Sequence, residues 1–206
     1  MKLYYSPGAC SLAPHIVLRE THAAFTLERV DIGTRKTEHG VDYTTINPKG
    51  QVPLLALDDG QHLSEGPVIA QYLADRARRE DLMPAAGTLA RYRVMEWQNH
   101  ITSELHKGFS PLFNPTLDTA AKAVFAEALQ KKFAWVSSQL RGKQYLTGDV
   151  FTVADAYLFT VAGWAKYVSL DLSDHEHLQG FLKRVAARPA VREAMKAEGL
   201  PAQDAH

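Results

Sequence analysis

Cysteine is nearly absent from this 206-residue chain, whose single thiol is Cys10. One cysteine cannot close an internal disulfide, so stability must come from packing, and a reducing, cytoplasmic setting is expected. An excess of either charge is also missing: 23 Lys and Arg stand against 23 Asp and Glu, for a formal net charge of zero. A nucleic-acid binder would carry a basic excess or a basic stripe, so no nucleic-acid partner is expected. No apolar run approaches the ~18 consecutive residues that would suggest a membrane helix, so no membrane association is expected either. The opening residues lack a signal-peptide pattern, because Lys2 is their only basic residue and Pro7-Gly8 breaks any apolar stretch. Internal repeats and low-complexity segments are missing. His175-Glu176-His177 lacks helical ligand spacing and a cysteine companion, so no metal is expected. What is present is a 46% hydrophobic composition, enough for one core or two small ones.

The lone cysteine sits in the most telling stretch. Met1-Lys2-Leu3-Tyr4-Tyr5 reads as a short strand, Pro7-Gly8 as a turn, and Ser11 to Glu20 as a helix with Pro14 in its first turn. Cys10 therefore lies where a strand hands over to a helix. Free backbone N–H groups and the helix dipole there favour a thiolate. The competing reading is a buried structural thiol, since free cysteine is among the most buried residue types. Phe25–Asp31 alternates as a second strand, giving a β-α-β unit with parallel strands. Ile32–Gly50 is polar and irregular, with a short helix around 38–45. Val52–Leu57 is an apolar strand, Asp58-Asp59-Gly60 a hairpin turn, and Gln61–Ser64 the returning strand. Ser64 N-caps a helix that carries Pro67 in its first turn. The order is βαβ, irregular, ββα: a four-stranded α/β domain over residues 1–80.

Residues 81–87 read as a linker, and strand signals then stop. Residues 88–206 form an all-helical domain. Helices are expected at Thr88–Phe109, ended or kinked by Gly108 and Pro111, at about 119–140, and at 153–162. Two more are expected at about 176–187 and 189–198. Thr152 and Asp155 form a capping box at the third of these, with Phe151 stapling the entry.

Five segments are more specific than the element order. Tyr4–Ser11, Asn47-Pro48-Lys49-Gly50-Gln51-Val52-Pro53, Glu65-Gly66, Glu104–Phe109 and Phe151–Tyr157 closely resemble the beta class, the bacterial cysteine-type cytosolic glutathione transferases. The matches are spread over nearly the whole chain in the right order. The resemblance implies a thioredoxin-like domain followed by an all-helical one. It implies glutathione as co-substrate, a hydrophobic electrophile as second substrate, and a homodimer.

It also implies site residues. Val52-Pro53 should be a cis peptide, with the Val52 backbone pairing with the cysteinyl backbone of glutathione. Glu65 and Gly66 fall where the family binds the γ-glutamyl end; many members carry serine after the glutamate, and Gly66 lacks that hydroxyl. Arg35 stands where a lysine often contacts the glycine carboxylate, although the Thr34-Arg35-Lys36 loop can equally hold a solvated charge. Asn99, Ser103, Glu104, His106 and Lys107 belong to the helix bordering the thiol, the first three partly serving the neighbouring subunit and His106 sitting near Cys10. Phe109, Pro111, Leu112, Phe113, Trp164 and Tyr167 could line the electrophile pocket, with plain core packing as the alternative for the aromatics.

The activity implied is conjugation of glutathione to hydrophobic electrophiles, with Cys10 near the glutathione sulfur and His106 favouring a thiolate. One alternative is monothiol transfer or reductive dehalogenation through a Cys10 mixed disulfide; the chain has no Cys-x-x-Cys, so a dithiol cycle is excluded. A second is non-catalytic, glutathione-gated binding of hydrophobic compounds. Tyr5 and Ser11 are the nearby hydroxyls should Cys10 not be the activator.

Overall fold

The computed structural model describes residues 1–201, so the last five residues of the 88–206 segment lie outside the described part. Five short strands form one mixed sheet in the order β3-β2-β1-β4-β5. They are β1 (Lys2–Tyr5), β2 (Thr26–Asp31), β3 (Lys36–Thr37), β4 (Leu54–Ala56) and β5 (His62–Ser64). β1 pairs with β2 in parallel, Leu3 opposite Leu27, and the crossover is helix α1 (Leu12–Glu20). β4 runs antiparallel to β1, Leu3 opposite Leu55, and β5 antiparallel to β4. This is the thioredoxin-like arrangement expected, with one strand more. β3 is two residues long and falls in the stretch read as irregular, since so short an edge strand carries no alternation to detect. The short helix expected nearby is a single 3₁₀ turn, Tyr43–Thr45.

Strand alternation divides the core. Leu3 and Tyr5 face the main core with Ile16, Leu55 and Ile69. Tyr4 faces the opposite side, where Val30, Tyr43, Val52 and Leu54 form a smaller cluster beneath the irregular segment. Helix α2 (Gly66–Arg76) closes the sheet, its N-cap being Glu65 rather than Ser64.

All further regular elements among the described residues are helical. Residues 81–87 do not behave as a free linker: Leu82 and Met83 are buried, and the Leu82 carbonyl accepts the Val153 N–H at 3.0 Å. The expected helix over Thr88–Phe109 is three segments: α3 (Leu89–His100), a π-helical stretch (Ile101–His106), and α4 (Lys107–Phe113). Gly108 and Pro111 do not end it. Gly108 is a site of close packing, because a Cβ there would lie 2.9 Å from Leu129 Cδ1 and that side chain would have to shift. Pro111 is only the fifth residue of α4, so its missing N–H leaves a single carbonyl without its helical donor. α5 (Thr119–Gln139), α6 (Val153–Ala162), α7 (Glu176–Ala186) and α8 (Pro189–Ala197) follow.

α6 is the centre of the helical part. All ten of its residues are buried, the pattern of a helix apolar on every side. The expected capping box is present: the Asp155 carboxylate accepts the Thr152 N–H at 2.7 Å and the Thr152 hydroxyl at 2.8 Å. Its other oxygen accepts the Leu146 N–H at 2.8 Å. α1 packs against α6, α8 and α2, so the helix that follows Cys10 is seated on both halves of the molecule.

Candidate active site

The loop between β1 and α1 is held by its own backbone and by the far end of the chain. The Ala9 N–H donates to Ser6 O at 3.0 Å, and Ser11 hydrogen-bonds Ser6 through its hydroxyl in both directions at 3.2 Å. Gly8, at φ +71°, takes a left-handed conformation that favours glycine. Its N–H donates to Glu198 Oε2 at 2.9 Å, and its carbonyl accepts the Trp164 indole N–H at 2.8 Å. Glu198 is itself buried against His15 Nδ1 at 2.8 Å. Two side chains from the helical part therefore fix both polar groups of one glycine, two residues before the thiol.

Beside this loop lies a cleft of about 540 Å³ between the sheet and the helices. One end is polar. Lys49 Nζ meets Glu65 Oε1 at 2.8 Å, both groups largely exposed. Glu65, at φ +70°, opens α2, whose first turn leaves backbone N–H groups without helical acceptors. Asn47 and Tyr43 both donate to the Gln51 carbonyl, at 2.7 and 2.9 Å, and fix the turn into the cis Val52-Pro53 peptide. A Cβ on Gly66 would meet only Pro53 Cγ at 3.7 Å, an ordinary contact, so the absent serine hydroxyl is not excluded by space. The other end is aromatic. Trp164 stands edge-on to Phe109 and Phe113, with centroids 5.6 and 6.2 Å apart, and Tyr167 completes the wall. Phe109 and Trp164 are also core residues, whereas Phe113 and Tyr167 are about half exposed.

Cys10 lies between the two ends, its Sγ donating to the Val52 carbonyl at 3.2 Å. The expected thiolate is not what this geometry favours. Burial pushes the thiol up to about 11, against the pull of the Cys10 and Ser11 backbone N–H groups, so the helix start acts in the expected direction and loses to desolvation. His106 does not supply a compensating positive charge. Its Nδ1 lies 2.7 Å from the Tyr157 hydroxyl and its ring stands edge-on to Trp164 at 4.7 Å. Burial, helped by neighbouring Lys107, pulls the imidazole down to about 4. The Tyr157 phenol is pushed above its usual range by burial and stays protonated. At neutral pH the thiol, imidazole and phenol are all uncharged.

A pH dependence follows. The folded His106 binds its proton more weakly than the unfolded residue, so the unfolded state takes up more protons between the usual value of 6.5 and about 4. Stability from this group is complete above 6.5 and is lost as pH falls towards 4. Urea unfolding of His106→Asn should show a shallower loss over that window than the unaltered protein. Equal slopes would mean that His106 is not buried uncharged.

Cys10, Val52, Pro53, Glu65, Gly66, His106 and Lys107 line the cleft; Arg35, Asn99, Ser103 and Glu104 do not line it within one chain. Arg35, at φ +55°, lies along Gly50 on the surface. Glu104 pairs with Lys132 at 2.9 Å. Within the π-helical stretch Thr102 and His106, four residues apart, both face the cleft, while Ser103 faces solvent. Of the electrophile-pocket residues, Pro111 and Leu112 lie off the cleft, Leu112 in the core. Tyr5 and Ser11 do not line it either. Sequence reasoning missed Lys49, Thr102 and Tyr157. Lys49 sits inside the Asn47–Pro53 motif, and Tyr157 is a buried phenol whose hydroxyl needs a partner, so both had a signal.

A thiol between a polar, helix-capped recess and an aromatic wall, on a thioredoxin-like sheet, defines a class, and comparison with known proteins gives the same one. The family model described as glutathione S-transferase, N-terminal domain, matches residues 8–76, and that described as glutathione S-transferase, C-terminal domain, matches residues 100–189. Glutathione S-transferase GstA of Escherichia coli O157:H7 is 49% identical over 200 residues, covering 97% of this chain and all of the relative. A sphingomonad glutathione S-transferase solved in complex with glutathione is 47% identical with a TM-score of 0.93, covering 98% of this chain and all of that one. The beta-class glutathione S-transferase of Sphingomonas chungbukensis is 46% identical with a TM-score of 0.94, over the same shares. The chain belongs to the glutathione S-transferase family and, within it, to the bacterial beta class.

Proposed function

We propose that this transferase joins the sulfur of glutathione to hydrophobic electrophiles, with residues 1–80 holding the tripeptide and residues 88–206 supplying the electrophile wall. The observation that carries this reading is the division of a single cleft into a polar end at Lys49, Glu65 and the start of α2, and an aromatic end at Phe113, Trp164 and Tyr167, with Cys10 between them. The α2 N-terminus suits the γ-glutamyl carboxylate and Glu65 its ammonium. The Val52 backbone suits the cysteinyl unit, which brings the glutathione sulfur beside Cys10. Arg35 is the proposed partner for the glycine carboxylate. The glutathione thiolate attacks the electrophilic carbon, the C–S bond forms as the bond to the leaving group breaks, and the thiol proton leaves to solvent.

In this reading Cys10 acts as a neutral donor. Its S–H turns from the Val52 carbonyl to the glutathione sulfur and stabilises the negative charge there. The rival reading, a covalent mixed disulfide, needs Cys10 as a thiolate, and burial opposes that. The enzyme works as a homodimer in the cytoplasm, and Leu89, Tyr92, Met95 and Trp135 leave an exposed apolar face on α3 and α5 for the second copy. Asn99, Ser103 and Glu104 border that face and are proposed to act across it.

Conjugation of glutathione to an aryl chloride, at saturating glutathione, tests the reading. Losing one weak hydrogen-bond donor should lower the rate of Cys10→Ala by no more than about tenfold. A collapse beyond about a thousandfold with glutathione still bound would make Cys10 a covalent nucleophile instead. Glutathione binding without any turnover would leave only the non-catalytic binder.

A further inference from the structure

His106 meets the cleft as an uncharged ring, and an uncharged imidazole has one nitrogen that donates and one that accepts. Which nitrogen faces the substrates decides whether the ring gives a hydrogen bond there or only takes a proton. Nδ1 is occupied by the Tyr157 hydroxyl at 2.7 Å. Among the described residues Nε2 has no hydrogen-bond partner, and it is not sealed from solvent. Trp164, edge-on at 4.7 Å, and Tyr157, edge-on at 6.0 Å, bracket the ring and limit its rotation.

The direction of the Nδ1 contact follows from its two partners. A phenol is a far stronger acid than a neutral imidazole N–H, so the phenol donates and the ring nitrogen accepts. His106 Nδ1 is also the only hydrogen-bond partner of the buried Tyr157 hydroxyl among the described residues. Thr102 stands beside the phenol, but its hydroxyl donates to the Gln98 carbonyl at 2.8 Å. The reverse bond would leave a buried phenolic proton unpaired, which is costly. When one ring nitrogen accepts, the proton of a neutral histidine sits on the other.

We propose, on the reading of conjugation given above, that Tyr157 is a positioning residue for His106. By donating to Nδ1 it keeps the ring proton on Nε2, and the ring presents a fixed, neutral N–H to the glutathione sulfur. Tyr157, Cys10, Glu65 and His106 all line the one cleft, and a charge on Cys10 or Glu65 acts on the phenol. Burial and the Lys107 charge hold the ring uncharged, with Glu65 opposing them, so His106 is a poor base for the thiol proton. That proton leaves to solvent, and His106 keeps its own. A neutral donor stabilises the thiolate at no cost in buried charge, and it supplements the Cys10 S–H.

Heteronuclear NMR of histidine-labelled protein, with His106 assigned by its loss in His106→Asn, reads the tautomer directly. The proton should reside on Nε2 in the unaltered protein, and Tyr157→Phe should release it to a mixture of both nitrogens. Kinetics reads the consequence. The amide of glutamine reaches the place of Nε2 as a donor that is no base, whereas that of asparagine reaches only the place of Nδ1. The assay uses an aryl chloride at saturating glutathione and about pH 6.5, well below the value of a free thiol. There His106→Asn and Tyr157→Phe should each lower kcat about tenfold, and His106→Gln should recover most of that loss. Tyr157→Phe should cost nothing further once His106 is asparagine. A proton on Nδ1 in the unaltered protein overturns the proposal. So does a Tyr157→Phe loss that persists undiminished beside His106→Asn, or an equal loss for glutamine and asparagine. An unaltered protein without turnover would overturn the conjugation instead, and the tautomer would still decide what Tyr157 does.

Discussion

Replacing Asp155 by alanine is expected to lower the unfolding free energy by about 4 kcal/mol. The carboxylate is fully buried and accepts from the Thr152 N–H, the Thr152 hydroxyl and the Leu146 N–H. Removing it leaves two buried backbone donors without acceptors, at about 1–3 kcal/mol each, and removes a helix cap worth about 1 kcal/mol. Part of the loss is offset, because burial also opposes the charge and holds the carboxyl up at about 6. In a chain of this size about 4 kcal/mol corresponds to a fall of roughly 12 °C in Tm. Asp155→Asn, which keeps one acceptor oxygen, should lose about half as much. Since α6 is the buried helix on which α1 is seated, the effect should appear as a downward shift of the whole cooperative transition. A change below about 1 kcal/mol, measured by urea unfolding, would show that water replaces the carboxylate and that the cap is dispensable.

Glu65→Ala should raise the KM for glutathione by about thirtyfold and leave kcat nearly unchanged. The proposed charge-assisted contact from Glu65 to the glutathione ammonium would be worth about 1.5–3 kcal/mol, and a contact far from the reacting sulfur is made equally in ground and transition states. The loss should not come through the fold. The Glu65 carboxylate is 63% exposed and its partner Lys49 is 55% exposed, so their pairing adds little to stability. Steady-state kinetics against glutathione concentration, with a urea midpoint as control, separates the two. A fall in kcat at constant KM would move Glu65 from substrate binding to the chemical step.

How much of this was legible in the sequence depends on the range of the interaction that decides each feature. The β-α-β unit, the hairpin strands and the capping box at Thr152–Asp155 were readable, because each is set by residues within one turn or one alternation of each other. Residues 81–87 look like a linker by composition, yet Leu82 and Met83 are packed, since their burial depends on α6, some seventy residues on. Gly108 reads as a helix breaker until α5 comes within contact distance and explains it as a packing residue. The π-helical turn at 101–106 has no sequence period of its own, and within it Thr102 and His106 line the cleft while Ser103 does not.

The sequence by itself determined the longer strands and helices but not β3 or the π-helical stretch, where Cys10 sits between a strand and a helix, and, through its local motifs, the family. The tertiary structure alone decided the ionisation of the site. A helix start argues for a thiolate at Cys10 and a histidine nearby argues for a positive charge. Both arguments are local, whereas desolvation is summed over every group that excludes water. Phe109, Tyr157 and Trp164 arrive from distant parts of the chain to enclose the thiol and the imidazole, and burial then outweighs the helix start.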